Sequence, residues 1–367
     1  MKRNSAHATW KTAFCVALVL AVMQSSQKDV AEAAPPARAT RIRAVEAFLL
    51  DLDFSRSSKW IATTGHAVRV FNTQSGKLVS TYSSAPLTRC VRFSPVDDER
   101  FATTDNAGYV RIFKVGEAEP KTVIKAHPEH DISGLAYSPD GKHFATSSKK
   151  LAYGRPAEGQ FKVWDSKTGK ELFGKTVAAV GCNAVAFSAD GASLAVAMTP
   201  RGETKSAVEI YNTKDWKLKD TIEFSPGFAL SMAFSPNGKM LVIAGGECED
   251  QKANSCKPTG KIWFAELGSD EPPFMVRPDP RQGYFRSVCF SQSGRSFVTG
   301  TSHDRGQLQS RDTRSGEVLW MTGGIGRHAY GARLSPDGIL AAYCVTGHVH
   351  LVDAETGEPV YDIKVTQ

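Results

Sequence analysis

Seven times along the chain one short pattern returns: an apolar residue, a variable one, Phe or a substitute, then Ser. The copies are Leu52-Asp53-Phe54-Ser55, Val91-Arg92-Phe93-Ser94, Leu135-Ala136-Tyr137-Ser138, Val185-Ala186-Phe187-Ser188, Met232-Ala233-Phe234-Ser235, Val288-Cys289-Phe290-Ser291 and Ala332-Arg333-Leu334-Ser335. After the Ser come turns such as Pro139-Asp140-Gly141, Pro236-Asn237-Gly238 and Pro336-Asp337-Gly338, where Pro presets φ and Gly accepts positive φ. A β-rich run follows, as in Phe101-Ala102-Thr103-Thr104, so each copy opens with a predicted hairpin. A third run alternates with period two, as in Val68-Arg69-Val70-Phe71, Phe161-Lys162-Val163-Trp164 and Lys261-Ile262-Trp263-Phe264, and its charged members are expected to face outward. A Thr/Ser-Gly-Lys/Glu turn then leads to a fourth strand, as in Thr168-Gly169-Lys170-Glu171-Leu172.

The seven serines lie 39, 44, 50, 47, 56 and 44 residues apart. A period of that length with four strands in each copy predicts an all-β fold, a seven-bladed β-propeller of four-stranded antiparallel blades over residues 44–367. Two segments compete for the outer strand that completes the ring, Arg41-Ile42-Arg43 and Val360-Tyr361-Asp362-Ile363-Lys364-Val365. The second is favoured because it is longer and follows its own blade directly. The phrases Phe-Ser-Pro-Asp-Gly and Val-Trp-Asp resemble the WD-repeat family, although only Trp164-Asp165 keeps the literal pair and Ala126-His127 is the one remnant of the family's Gly-His. The resemblance implies a non-catalytic platform that binds a protein or peptide through its loops. It also implies that apolar packing between blades carries more of the stability here than the family's Asp-His-Ser-Trp networks.

Charge and the N-terminus change the picture modestly. The chain carries a formal net charge of +7 in 367 residues, without a Lys/Arg run longer than two, so it lacks the cationic stripe that nucleic acid binding needs. Lys2, Arg3 and Lys11 precede an uncharged run at residues 12–23, and Ala31-Glu32-Ala33 offers small residues for cleavage. Residues 1–33 therefore predict a signal peptide, with an uncleaved membrane anchor as the alternative, and residues 34–43 a linker. The expected location is extracytoplasmic, periplasmic or secreted, for a monomeric propeller. In that setting Cys248 and Cys256 are placed to close a disulfide across a polar loop, whereas Cys90, Cys182, Cys289 and Cys344 sit in strands as small buried apolar residues.

Candidate chemistry is sparse. His127-Pro128-Glu129-His130 lacks a third local ligand, and His348 and His350 share one face of a strand, so neither group predicts a metal site, and no cofactor is expected. The turns Asp165–Lys170, Asp312–Glu317 and Asp353–Glu358 resemble repeats of quinoprotein-like propellers, which sets a quinoprotein-like or hydrolytic enzyme as the alternative function; that family is expected to have eight blades and a calcium-ligand cluster. Two placements follow from ring order. Asp53, Arg92 and Arg333 occupy one repeat position in blades one, two and seven, which predicts a charge cluster at the closing seam. The longest connections between second and third strands fall in blades three, four and five. With the chain leading into blade six they predict an enlarged rim whose partner contacts are Tyr153, Arg155, Arg281, Tyr284, Phe285 and Arg286.

Overall fold

The seven repeats fold as seven sheets of four antiparallel strands, each sheet running from first to fourth strand in chain order. The computed structural model describes residues 47–83, 86–150, 158–177, 179–200, 206–224, 227–247, 259–277, 283–302, 306–324 and 328–366. Within these, every helix or strand element is a strand.

The repeated Ser has a local reason. Outside blade two, where the Arg100 N–H goes to the Asp97 carbonyl, its hydroxyl accepts the first backbone N–H of the second strand, as from Trp60 to Ser55 (3.1 Å), His143 to Ser138 (2.9 Å), Met240 to Ser235 (3.0 Å) and Leu340 to Ser335 (2.9 Å). The buried turn thus satisfies a donor that the hairpin would otherwise strand. Gly141 closes one such turn at φ +68°, and its N–H bonds to the Ser138 carbonyl at 2.8 Å.

Second strands are buried along nearly their whole length, so the core lies between blades. Seven apolar clusters result, each built from two neighbouring sheets. One joins Val68, Val70 and Tyr82 of blade one to Phe93, Phe101 and Phe113 of blade two. Another joins Leu49, Leu52 and Phe54 of blade one to Cys344, Val349 and Leu351 of blade seven. Burying a side chain such as Phe101 or Phe144 contributes about 1.5–3 kcal/mol. The ring closes without a shared blade, because Pro359–Lys364 is the fourth strand of its own sheet. At the closure the Ala47 N–H reaches the Val365 carbonyl (3.3 Å), and the Gly347 N–H reaches the Ala47 carbonyl (2.8 Å).

One expectation from the alternation fails. Lys261 is only 1% exposed, and its ammonium pairs with Glu247, across the strand ends that flank residues 248–258. Blade five packs against blade six on that face, so an ion pair is buried where the pattern placed a solvated lysine. In blade six the third strand departs similarly: Arg311, 3% exposed, gives its Nε and Nη2 hydrogens to the Gln309 Oε1 and its Nη1 hydrogen to the Gly316 carbonyl.

Candidate functional site at the channel mouth

The register fixes which side chains meet on the axis. In every blade the first strand pairs with the second through a shift near its start, an extra residue that bends the strand and re-aims its side chains. Four residues before the repeat's Phe position, at this irregularity, stand Leu50, Arg89, Ser133, Asn183, Leu230, Arg286 and Tyr330. All seven line one cavity of about 190 Å3 at the axis. Of the residues just before the Phe position, three places on, all but Asp53 line the channel too, and Arg92 and Arg333 belong to both this cavity and a second one of about 370 Å3 that continues it. Without the extra residue an offset of three would send the two positions to opposite faces.

The mouth is cationic. Arg89, Arg92, Lys149, Arg286 and Arg333 line it with only two carboxylates, Asp51 and Asp131, an excess of three positive charges. Arg89 holds Asp131 through two parallel bonds (Nε–Oδ1 2.9 Å, Nη2–Oδ2 2.6 Å) that tie blade two to blade three. At the closing seam Asp53 receives the Phe93 N–H (2.8 Å) and lies 3.5 Å from Arg333 Nε. Arg92 acts on Asp53 electrostatically, but its own ion pair goes to Asp51 (2.5 Å), which also stands 3.6 Å from Arg333. Asp51 is therefore the member that the sequence argument missed. It lies two residues before Asp53, inside the irregular stretch where alternation no longer assigns a face. Gly331 makes the seam possible, since a Cβ there would meet Leu52 N at 2.7 Å and Asp51 Oδ1 at 2.8 Å. Burial raises the Asp53 carboxyl, and the two guanidinium groups only partly oppose it. Burial alone would lower Arg92, but Asp51 and Asp53 more than reverse that and hold its guanidinium charged.

On blade six, next to the seam, the rim residues divide. Tyr284 and Arg286 sit at the start of blade six's first strand: Arg286 Nη2 donates to the Tyr284 hydroxyl (2.5 Å), and its guanidinium carbon lies 4.9 Å from the Tyr284 ring centre and 4.6 Å from that of Tyr330. Phe285 is a correction. It is fully buried in the core between blades five and six, so it is not a partner contact. Its position in the other blades is filled by Leu49, Thr88, Ile132, Cys182, Ala229 and Ala329, all buried, because the residue before the irregularity points between blades. Tyr153, Arg155 and Arg281 lie outside the described residues, as do Cys248 and Cys256. Cys90, Cys182 and Cys344 are free and buried, and Cys289 is free and half-buried.

The other candidates are absorbed by structure. His127 Nε2 bridges to Thr146 Oγ1 (2.7 Å), which also accepts the Trp164 indole N–H (2.9 Å), while His127 Nδ1 meets Ser148 Oγ (3.0 Å). Blade three thus keeps a His-Thr-Trp chain, with Thr146 supplying the hydroxyl and no Asp member. Burial holds the His127 imidazole down at about 3. The Asp165, Asp312 and Asp353 carboxylates each accept the N–H three residues on, at 2.7–2.8 Å, so the turns that resembled quinoprotein repeats are self-bonded Asx turns in a ring of seven sheets. His348 and His350 do stack on one face, and His350 Nδ1 meets Asp362 at 2.6 Å. Among the described residues no group of three or more His, Cys, Asp or Glu is placed to hold a metal.

Comparison with known proteins agrees with this architecture. The family model described as WD domain, G-beta repeat matches residues 118–165, the stretch that contains His127, Thr146 and Trp164-Asp165. Among solved structures, Kuenenia stuttgartiensis Hydrazine Synthase superposes with a TM-score of 0.73 at 14% identity, over 87% of this chain and 98% of that one. At that identity the likeness is one of fold.

Proposed function

From its place in the WD-repeat family of seven-bladed propellers, we propose that this chain is an extracytoplasmic, non-catalytic interaction platform whose protein partner docks over the charged channel mouth. WD propellers serve generally as scaffolds for protein interaction, and the choice of this face rests on one observation: all seven first strands bend at the same level and turn one side chain each into the mouth. The long connections of blades three to five leave from the same end. Lys149, beside the 151–157 connection, pairs with Asp131 at the start of its first strand, and Glu247 pairs with Thr259 beside Gly246 and Phe228. The strand that leads into residues 151–157 thus ends beside the charged mouth, which Lys149 lines, and connections carried by rigid strands are where binding residues concentrate.

Catalysis has less support. The Cys90 thiol, which lines the mouth, is pushed up to about 11 by burial and then by Asp51, so it stays protonated at neutral pH and is a poor nucleophile. The His127 imidazole, at about 3, is committed to the Thr146 and Ser148 hydroxyls. The name Hydrazine Synthase belongs to a protein that shares the fold alone.

The test is affinity capture from the native extracytoplasmic fraction with wild type, Arg286→Ala/Lys149→Ala, and the distant surface control Lys217→Ala. A partner retained by wild type and control but lost from the double variant supports the platform and its face. Equal retention by all three moves the interface elsewhere.

A further inference from the structure

We infer that Arg286 anchors a carboxylate-binding subsite at the mouth, into which the partner inserts an acidic side chain or chain terminus. This deepens the platform reading and rests on it. The argument begins from how the molecule treats its other arginines. Arg89, Arg92 and Arg333 at the mouth each have a carboxylate within ion-pair distance, and Arg111 has the buried Asp105. The one deeply buried arginine without an acid, Arg311, has hydrogens from all three nitrogens on neutral acceptors.

Arg286 has neither solution. Among the described residues no carboxylate lies within ion-pair distance, its Nε is buried with no acceptor, and its one hydrogen bond goes to Tyr284. A guanidinium carries five N–H donors, so beyond the Tyr284 bond and the buried Nε three N–H groups have no acceptor among the described residues, on a side chain that lines the cavity. The Tyr284 and Tyr330 rings lie against it and hold its orientation. Lys149, three blades away around the ring, adds a second cation to the same mouth. Its neighbour across the ladder is Asp131, but both oxygens of that carboxylate are engaged by Arg89, and Lys149 has no carboxylate within ion-pair distance among the described residues. Gly181 of blade four lets it lie there, because a Cβ would come within 2.7 Å of the Lys149 Cβ.

The geometry selects the ligand. A rigid planar fork matches two oxygens of a carboxylate or a phosphate, and of the two the carboxylate is the one an unmodified protein partner carries. A cavity of about 190 Å3 admits one side chain or terminus and is too small for a folded segment.

The experiment is calorimetric titration of the purified full chain at low salt with a capped tri-glutamate peptide, its tri-glutamine counterpart and inorganic phosphate. The acidic peptide is expected to bind and the amide peptide not to. Arg286→Gln should weaken binding by at least about tenfold, and Arg286→Lys should restore only part of it. Lys149→Gln, on a half-buried surface position, gives a second variant should Arg286→Gln fold poorly by circular dichroism. Equal binding of both peptides, unchanged binding by both variants, or phosphate binding as tightly as tri-glutamate each overturns the subsite. If tri-glutamate binds through Arg286 while wild type captures no protein, the subsite stands and the platform fails. If a captured partner ignores excess tri-glutamate and the Arg286 variant, the platform stands and the subsite fails.

Discussion

On the side of blades seven, one and two, the charges of the channel mouth are matched: Asp51 stands between Arg92 and Arg333, and Asp53 lies beneath them. Flanking that side, on blades six and three, Arg286 and Lys149 line the same mouth without a carboxylate within ion-pair distance among the described residues. Arg89 and Arg286 stand at the same strand position, the first paired with Asp131 and the second with no carboxylate within ion-pair distance among the described residues. The difference teaches that position in this repeat sets only whether a side chain faces the channel, and its partners decide whether it holds the ring together or remains open to a ligand. A paired group surrounded by protein is expected to cost stability when removed. An unpaired one at the mouth is expected to cost binding.

The largest effect should come from breaking the paired side. Asp51→Ala leaves Arg92 and Arg333 facing each other in a poorly solvated seam, and loss of about 3–5 kcal/mol in urea unfolding is expected. A loss under about 1 kcal/mol would mean that the seam is solvated and the contrast false. Acid should next separate the two walls. His127 supports the strand that carries Lys149 through Thr146 and Ser148, and its folded value of about 3 lies below the 6.5 expected when unfolded. Below pH 6.5 the unfolded chain takes up a proton that the folded chain refuses. Its contribution is thus full above pH 6.5 and is lost as pH falls toward 3, by about 1.4 kcal/mol per pH unit. His127→Gln should flatten that slope between pH 6 and pH 4, and an unchanged slope would show that other groups control it.

Smaller effects sharpen the open side. Arg286→Gln removes the contacts with Tyr284 and Tyr330 and should cost about 1 kcal/mol of stability, with a far larger loss of partner retention. Lys149→Gln should leave stability within about 0.5 kcal/mol and reduce retention severalfold. Stability losses at either residue that match the loss at Asp51 would place both sides in one structural network.

Much of the scaffold was legible because it depends on short-range rules. Each Ser marks a turn by its own hydrogen bond, and the blade count follows from repetition. The site was legible only in fragments, for two physical reasons. The irregularity in every first strand is a pairing event between strands, invisible in either strand alone. It brings Arg89 and Arg92, three residues apart, to the same channel. Burial against a neighbouring blade is likewise absent from the pattern of one blade, which is why Lys261 and Phe285 were expected at the surface and lie inside. Asp53 and Arg333 could be paired from ring order, whereas Asp51 needed the approach of Gly331 from blade seven.

The most direct test measures Asp51→Asn and Arg286→Gln side by side, each for its unfolding midpoint in urea and for partner retention at a concentration where it is folded. Asp51→Asn should lower the midpoint clearly and retain the partner, whereas Arg286→Gln should shift the midpoint little and lose it. If Arg286→Gln retains the partner as wild type does, or if Asp51→Asn loses it while fully folded, the division between a structural and a binding side of the mouth is wrong.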